Sequence, residues 1–323
     1  MLIVALGGTI AMTASPSSHT GVSPKLTAKD LISAVPALGR VAEIETLDFR
    51  QCPGASLTVD DIAELAARLR QEALDGVEGF VITQGTDTLE ETAYLLDLLY
   101  REEAPVVLTG AMRNPSMAGA DGPANLFAAT CTATSPQARG RGVLAVFADE
   151  IHAARHVRKV HSTSTGAFAS PSAGPVGGVV EDTAHFHFAF DRIPGIVQPL
   201  HRQAEVELVE ATLGSSGVLL DGLEQRVDGL VVAAFGAGHV PAQWVTRLEV
   251  IASRVPVVLA TRTGAGRTLT GTYAFAGSEK DLLSRGLIRS GCLDARKARL
   301  LLLAHLRSGS GRATIESAFI PYC

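Results

Sequence analysis

Short runs of β-branched and other apolar residues recur along the chain, and each ends at glycine, threonine or another small residue. Runs with so few polar residues are typical of strands that are buried on both faces of a parallel sheet. Amphipathic helical patterns lie between them, and strands that alternate with helices form right-handed βαβ units. The pattern predicts an α/β fold with doubly wound parallel sheets, in which ligands bind beyond the carboxyl ends of the strands. The runs are residues 2–6, 80–83, 106–109, 143–147, 230–235 and 255–260.

Helix starts are marked by a threonine followed three residues later by an acidic residue, the pattern of a capping box. It occurs at residues 58–61 and 88–91. Pro123 suits the first turn of a helix over 124–134, because its fixed φ matches that position. A last amphipathic helix is predicted over 295–307. The helix that follows residue 58 places four apolar residues on one face: Ile62, Leu65, Ala66 and Leu69.

The chain is long enough for more than one domain. It has 323 residues, and domains of about 100–200 residues are usual. Residues 191–211 contain two prolines and little periodicity, and the alternation of strands and helices resumes after them. We therefore predict a larger first domain over 1–190, a linker over 191–211 and a smaller second domain over 212–323.

The composition excludes several classes of protein. There are 28 Lys and Arg against 33 Asp and Glu, a formal charge of −5, whereas a nucleic-acid binder needs a clear excess of positive charge. Hydrophobic residues make up 46% of the chain, too many for a disordered protein. No stretch approaches the ~20 apolar residues of a membrane helix. The opening MLIVALGGTIAM lacks the basic start and long apolar region of a secretion signal. We expect a cytoplasmic protein without nucleic-acid or membrane partners.

Common cofactor and metal motifs are missing from the sequence. There is no P-loop, no G-x-S-x-G, no H-E-x-x-H and no Cys-x-x-Cys pair. The nearest match to a dinucleotide fingerprint, GAGRTL at 264–269, lacks the third glycine. Two histidine pairs have no evident further ligands, so we expect them to pack or to lie at the surface: His152 with His156, and His185 with His187. No metal and no cofactor are predicted.

Two of the strand ends carry the same dipeptide, Gly8-Thr9 and Gly85-Thr86, and Asp87 follows the second. Glycine lets a ligand approach the backbone, a threonine hydroxyl attacks a carbonyl carbon, and a carboxylate holds an ammonium group. The helix after the second turn would direct its positive end toward a developing oxyanion. A lysine of lowered pKa is one candidate for the base that a hydroxyl nucleophile requires. A single Gly-Thr dipeptide after a strand is ordinarily only a turn and a helix cap, but two of them on one sheet favour a catalytic site.

Three segments carry a more specific signal: LGGTIA at 6–11, TQGTDTLEETAYLLDLL at 83–99 and VVLTGAMRNPSMAGADGPANL at 106–126. They resemble the signature regions of the bacterial L-asparaginases, a homotetrameric family that includes glutaminase-asparaginases. Similarity continues through RGVL at 141–144 to SGCLDARKAR at 290–299, so it covers nearly the whole chain. The resemblance implies hydrolysis of the side-chain amide of L-asparagine to L-aspartate and ammonia, without a cofactor.

The resemblance also assigns roles to individual residues. Thr9 matches the nucleophile, which forms a β-aspartyl ester with the substrate. Thr86, Asp87 and Lys159 match the family's Thr-Lys-Asp group, and Asp87 would also bind the substrate α-ammonium. The substrate-binding residues implied by the resemblance are Gly8, Ser56, Gly85, Ala111, His239 and Glu279, of which Glu279 would come from a neighbouring subunit and Ala111 would act through its backbone.

Four departures from the family pattern stand out. The loop at 12–30 lacks the tyrosine that usually orients the nucleophile, and His19 is its nearest polar ring. The serine that grips the substrate carboxylate falls at Gly54, unless one insertion brings Ser56 into its place. Gln84 replaces a histidine. His239 stands where asparagine is more frequent, which would alter the choice between asparagine and glutamine or add pH dependence.

Three alternatives stay open from the sequence. The main substrate could be L-glutamine or D-asparagine instead of L-asparagine. The protein could bind an amino acid with little turnover, since the loop tyrosine is missing. A dinucleotide-dependent enzyme is supported by fold class alone.

Overall fold

The structure is a computed structural model that describes residues 1–14 and 22–323. The chain divides into two compact units, unit 1 over Met1–Gly195 and unit 2 over Ile196–Cys323. Each unit contains a sheet with parallel strands and connecting helices. The predicted fold class, two α/β domains of which the first is larger, is therefore confirmed. Within the described ranges, no helix is both long and apolar enough to cross a bilayer.

Unit 1 is built on an eight-stranded sheet in the order β12-β11-β8-β7-β6-β5-β1-β4, with two small ribbons, β2-β3 and β9-β10. Its strands are β1 (Leu2–Ala5), β2 (Met12–Ala14), β3 (Val22–Pro24), β4 (Glu45–Asp48), β5 (Phe80–Thr83), β6 (Val106–Thr109), β7 (Val143–Phe147), β8 (Glu150–Ala153), β9 (Arg158–Lys159), β10 (Phe168–Ala169), β11 (Gly177–Val180) and β12 (Thr183–Phe186). Its helices are α1 (Ala28–Ser33), α2 (Val59–Leu74), α3 (Leu89–Leu99) and α4 (Gly122–Thr134).

The five strands β4, β1, β5, β6 and β7 run parallel, and β8, β11 and β12 extend the sheet in antiparallel pairing. Ala5 pairs with Thr83, and Thr83 pairs with Thr109, so β1, β5 and β6 end level with one another. The loops that begin after these three residues therefore leave the sheet along the same edge.

One apolar cluster anchors these strands. Four neighbouring strands each contribute one fully buried side chain, and burial of each stabilises the fold by about 1.5–3 kcal/mol. They are Ile3, Val81, Val107 and Leu144. This close-packed layer gives the strand ends a rigid base.

The elements of unit 2 are β13 (Val206–Glu210), β14 (Gly229–Ala234), β15 (Val257–Thr261) and β16 (Ile288–Arg289), with α5 (Val245–Ala252), α6 (Glu279–Ser284), α7 (Ala295–Arg307) and α8 (Arg312–Phe319). The four strands form a parallel sheet in the order β13-β14-β15-β16. The predicted linker over 191–211 overlaps the division between the units, but β13 lies within it and pairs with β14. The irregular part of that stretch therefore ends before Val206.

Two of the predicted helix starts are confirmed. Thr58 Oγ1 accepts a hydrogen bond from the Asp61 amide at 3.1 Å, and the Asp61 carboxylate accepts one from the Thr58 amide at 2.9 Å. This is the reciprocal capping box that the sequence predicts for α2. Pro123 lies in the first turn of α4, as its restricted φ favours.

Candidate active site

Three loops of unit 1 pack backbone against backbone beyond the strand ends. A Cβ on Gly8 would lie 2.1 Å from the Gly85 nitrogen, and a Cβ on Gly54 would lie 2.9 Å from the Gly85 oxygen. Gly8 also has a φ of 86°, in the region that favours glycine. Only residues without a side chain allow this approach, so the two Gly-Thr turns predicted to form the site do meet.

The two threonines follow directly after these glycine contacts. Thr9 begins a short 3-10 turn over Thr9–Ala11 and is half-buried, whereas Thr86 is 5% exposed. Gly110, after β6, lies against the second threonine, because a Cβ on this glycine would be 3.4 Å from Thr86 Cγ2. The loops after β1, β5 and β6 therefore line one corner.

Lys159 joins this corner from the small ribbon of β9 and β10. Its Nζ donates to Thr86 Oγ1 at 3.0 Å and to Asp87 Oδ1 at 2.9 Å. The lysine side chain is 17% exposed and the Asp87 side chain is 68% exposed. The arrangement places an amine beside a hydroxyl, where protons can be exchanged, and leaves the carboxylate accessible to a cationic ligand. Three of the four predicted catalytic residues are thus in direct contact.

The capping box predicted at Thr88 is wrong. Thr88 is the N-cap of α3, but its φ and ψ of −116° and 10° are not extended and its side chain caps no amide. Its hydroxyl instead donates to the Gly54 oxygen at 2.8 Å and accepts from Gln84 Nε2 at 3.1 Å. Thr88 does occupy the N-cap position, but its hydroxyl bonds to Gly54, a residue distant in the sequence, and not to an amide of the helix. Gln84 and Thr88 together hold the loop that contains Gly54.

Two sequence predictions in the loops have different outcomes. Gly54 is buried at the contact with Gly85, whereas the side chain of Ser56, two residues later, is exposed on the same 3-10 turn. The structure therefore brings Gly54, and not the Ser56 hydroxyl, against the second Gly-Thr turn. His19, suggested as a replacement for the loop tyrosine, lies outside the described residues.

The loop after β6 is shaped by two polar residues that the sequence analysis did not select. Asp121 accepts a hydrogen bond from the Met112 amide at 2.9 Å, and Asn125 Nδ2 donates to the Gly110 oxygen at 3.0 Å. They hold the backbone on both sides of Ala111, which is 1% exposed. Asp121 is the N-cap of α4 and Asn125 follows four residues later, and that spacing was the available signal.

In unit 2, the structure brings Glu279 and His239 together. The Glu279 side chain is 0% exposed, and its Oε1 accepts the amides of Thr272 and Tyr273 at 2.8 Å each. Its Oε2 lies 3.1 Å from His239 Nε2. The His239 side chain is 22% exposed, so in this pair the histidine, and not the carboxylate, is accessible from outside unit 2.

Hydrogen bonds keep the Glu279 carboxylate ionised. Burial alone would raise its pKa, but the backbone amides of Tyr273, Glu279 itself and Thr272, with His239, lower the pKa below its ordinary value of 4.5. The His239 ring is edge-on to two rings that are partly exposed: Tyr273 at 4.8 Å and Phe275 at 5.0 Å between centroids. The histidine is therefore fixed by one carboxylate and two aromatic side chains.

Comparison with known families gives matches to both units. Residues 1–191 match the family model described as Asparaginase, N-terminal, and residues 205–319 match the model described as Glutaminase/Asparaginase C-terminal domain.

Similar proteins match over nearly their whole length. A probable L-asparaginase of Deinococcus radiodurans is 38% identical over 99% of this chain and 96% of that protein. An L-asparaginase of Bacillus licheniformis is 32% identical over 95% of each. The crystal structure of a probable cytoplasmic L-asparaginase from Campylobacter jejuni superposes with a TM-score of 0.87 at 31% identity, covering 99% of this chain and 98% of that one.

Proposed function

The chain belongs to the asparaginase family, and on that premise we propose that it hydrolyses the side-chain amide of L-asparagine to L-aspartate and ammonia. The observation that carries the proposal is the contact of Lys159 with Thr86 and Asp87, next to the Gly8-Thr9 turn. This corner combines a half-buried hydroxyl, an amine in contact with a second hydroxyl, and an accessible carboxylate. Those are the groups that acyl transfer from an amino-acid amide requires.

Substrate binding begins at Asp87. Its exposed carboxylate pairs with the α-ammonium, and the backbone around Ala111 lines the pocket. Gly8 and Gly85 allow the substrate to approach the main chain closely. Ser56 remains the proposed ligand of the α-carboxylate, although its hydroxyl would need a shift of the loop to reach the substrate.

In the first half-reaction, the Thr9 hydroxyl oxygen attacks the amide carbon. The bond from Oγ1 to carbon forms, and the proton of Thr9 passes to the base made by Thr86 and Lys159. The negative charge on the amide oxygen develops near the amino-terminal end of α3, whose dipole favours it. When the intermediate collapses, the carbon–nitrogen bond breaks and the departing nitrogen takes up the proton held by the Thr86–Lys159 pair, so ammonia leaves, a β-aspartyl ester remains on Thr9, and the base is regenerated.

In the second half-reaction, water attacks the ester carbon. The same Thr86–Lys159 pair takes a proton from the water, and the bond between carbon and Thr9 Oγ1 breaks. The Thr9 oxygen takes up that proton from the pair, and L-aspartate is released. The same pair of residues thus serves both half-reactions, because in each of them a hydroxyl group, first of Thr9 and then of water, loses a proton as it attacks the same carbonyl carbon.

We further propose that the protein is a cytoplasmic homotetramer, in which Glu279 and His239 of one copy complete the site of another. Support comes from their arrangement, because a buried ionised carboxylate with an outward histidine fits recognition of a charged substrate. The Campylobacter jejuni neighbour, described as cytoplasmic, supports the location. Sedimentation and cell fractionation test the two parts separately.

The experiment that tests the proposed function is ammonia release by the purified protein from L-asparagine, L-glutamine and D-asparagine, measured side by side. We expect the highest kcat/KM for L-asparagine. Hydroxylamine added to the assay should divert part of the product to the aspartyl hydroxamate, as an ester intermediate requires. Calorimetric binding of asparagine without ammonia release would instead identify a binding protein.

L-Glutamine is the second candidate substrate. The C-terminal family model covers glutaminases as well as asparaginases, and His239 lies beside Glu279 where it would meet the substrate. Discrimination of a single methylene is worth only about 1–3 kcal/mol, so a modest change in this pair is enough to alter the preference. A higher kcat/KM for glutamine would establish this alternative.

A further inference from the structure

Glu90 is a buried carboxylate that the proposed mechanism does not use. It lies in the first turn of α3 and is 1% exposed. Its Oε2 accepts a hydrogen bond from the backbone amide of Lys159, which is 69 positions away in the sequence. A carboxylate is rarely buried so completely without a specific partner. One of its partners here is the backbone of a proposed catalytic residue.

The geometry of the ribbon explains why this amide needs an acceptor. Lys159 is opposite Phe168 in the antiparallel pairing of β9 and β10, and the next amide, that of Val160, donates to the Ala167 oxygen at 2.7 Å. Successive amides of an antiparallel strand point in opposite directions. The Lys159 amide therefore points away from β10, toward α3. Glu90 supplies a carboxyl oxygen as the acceptor on that side.

The other strand of the ribbon has its own anchor. The Phe168 ring stacks on the Phe147 ring, with centroids 4.1 Å apart and planes inclined by 20°. This contact ties β10 to the end of β7. The ribbon pairs only two residues with two, so its own hydrogen bonds fix it weakly, and the bond from the Lys159 amide to Glu90 adds a contact on the other side of β9.

Both ends of Lys159 are held by one short segment of the chain. Its amide bonds to Glu90, and its Nζ bonds to Thr86 and Asp87. Residues 86–90 form the turn before α3 and the start of that helix, so both attachment points belong to one short segment. The backbone and the Nζ of Lys159 are thus both bound to this segment.

We propose that Glu90 is a positioning residue, whose carboxylate holds the backbone of Lys159 so that Nζ stays in contact with Thr86. The proposal rests on the proposed function, since it assigns Lys159 a part in proton transfer. It goes beyond that function by naming a group that acts through the lysine without touching the substrate.

The first test needs no substrate. Lysine acetylation by a small acylating reagent is followed by mass spectrometry, with exposed Lys280 as the internal reference. Glu90→Leu keeps the side-chain volume but removes the acceptor, and we expect the labelling rate of Lys159 relative to Lys280 to rise at least threefold. Glu91→Leu, the matched change one residue later, should leave the ratio unchanged. An unchanged ratio in Glu90→Leu would overturn the proposal, whether or not the protein hydrolyses asparagine.

The second test is a double-mutant cycle in ammonia release. Glu90→Leu should lower kcat about 10- to 100-fold with a smaller change in KM, as misplacement by about 1 Å does. Glu90→Gln retains an acceptor and should stay within about threefold of the wild type. In the Lys159→Met background, Glu90→Leu should cause no further loss. Independent, multiplying losses would show a merely structural role and contradict the proposal.

Folding of the variants is checked by their thermal midpoints. If Glu90→Leu does not fold, Glu90→Asp replaces it in both tests, because it keeps a carboxyl group but withdraws it by one methylene. It should raise the labelling ratio and lower kcat in the same direction. Wild-type levels of both quantities in folded Glu90→Asp would overturn the proposal. Absence of ammonia release by the wild type would instead reject the proposed function.

Discussion

Lys159 and Thr86 are 73 positions apart in the sequence, yet a hydrogen bond of 3.0 Å joins Nζ of the lysine to Oγ1 of the threonine. The bond connects a two-residue strand outside the main sheet to the turn after a central strand. A lysine that is mostly shielded from water, and in contact with a hydroxyl, is suited to proton transfer.

Replacement of Lys159 by methionine should lower kcat for asparagine about 10²- to 10⁴-fold, the usual contribution of general acid–base catalysis. Methionine retains much of the side-chain length, so the fold should persist. The control is Lys280→Met, at an exposed lysine of unit 2. Steady-state kinetics with both variants, and circular dichroism to confirm folding, make the comparison. Equal rates in the two variants would remove Lys159 from the mechanism.

Gly8→Ala should destabilise the protein by about 2–4 kcal/mol, through overpacking and a strained φ. The added Cβ would lie 2.1 Å from the Gly85 nitrogen, at a φ of 86°. Gly39→Ala is the matched control, because among the described residues, its two chain neighbours aside, no atom lies within 4 Å of its added Cβ. Chemical denaturation of the three proteins gives the free energies of unfolding. Similar values for both variants would argue against the backbone contact between the Gly-Thr turns.

The stability of unit 2 should depend on the ionisation of Glu279. Its pKa in the folded protein is lowered below 4.5, so the carboxylate contributes stability above about that pH, and the contribution is lost as the pH falls through the folded pKa. The thermal midpoint of Glu279→Gln should therefore lie below that of the wild type at pH 7, and the gap should narrow below pH 4.5. Glu316→Gln, at a half-exposed side chain, serves as the control. A gap that widens in acid would contradict this assignment.

A site completed by a second copy predicts complementation between inactive variants. Thr9→Ala and Glu279→Ala should each be nearly inactive alone. The first lacks the nucleophile, and the second lacks the carboxylate that one copy contributes to the active site of its neighbour. Unfolding and refolding them together should restore part of the ammonia release, since some mixed assemblies contain one intact site. Mixed assemblies that form but stay inactive would show that both residues serve the same copy.

The sequence predicted the strands that carry the site with good accuracy. Residues 80–83, 106–109 and 143–147 coincide with β5, β6 and β7, and 295–307 coincides with α7. Buried parallel strands appear as continuous apolar runs, and their ends are visible where glycine and threonine begin. The meeting of Gly8 and Gly85 followed from this, because parallel strands deliver their loops to one edge.

Contacts that depend on tertiary pairing were not predictable in the same way. The two-residue strands β9 and β10 are too short for a period, so neither the ribbon nor the bond from Lys159 to Glu90 leaves a local signal. Thr88 matched a capping pattern, yet its hydroxyl binds the Gly54 oxygen, which only the folded chain places nearby. The family resemblance identified Lys159, but only the folded structure shows that Glu90 contacts its backbone.

The central claim is that Thr9 attacks the amide of asparagine, and its most direct test is ammonia release by the wild type and by Thr9→Ala at saturating L-asparagine. The account predicts steady turnover by the wild type and a loss of about 10³-fold or more in the variant, with the same thermal midpoint and assembly state. Thr9→Ser, which keeps a hydroxyl, should retain measurable activity. Turnover by Thr9→Ala at the wild-type rate would contradict the account.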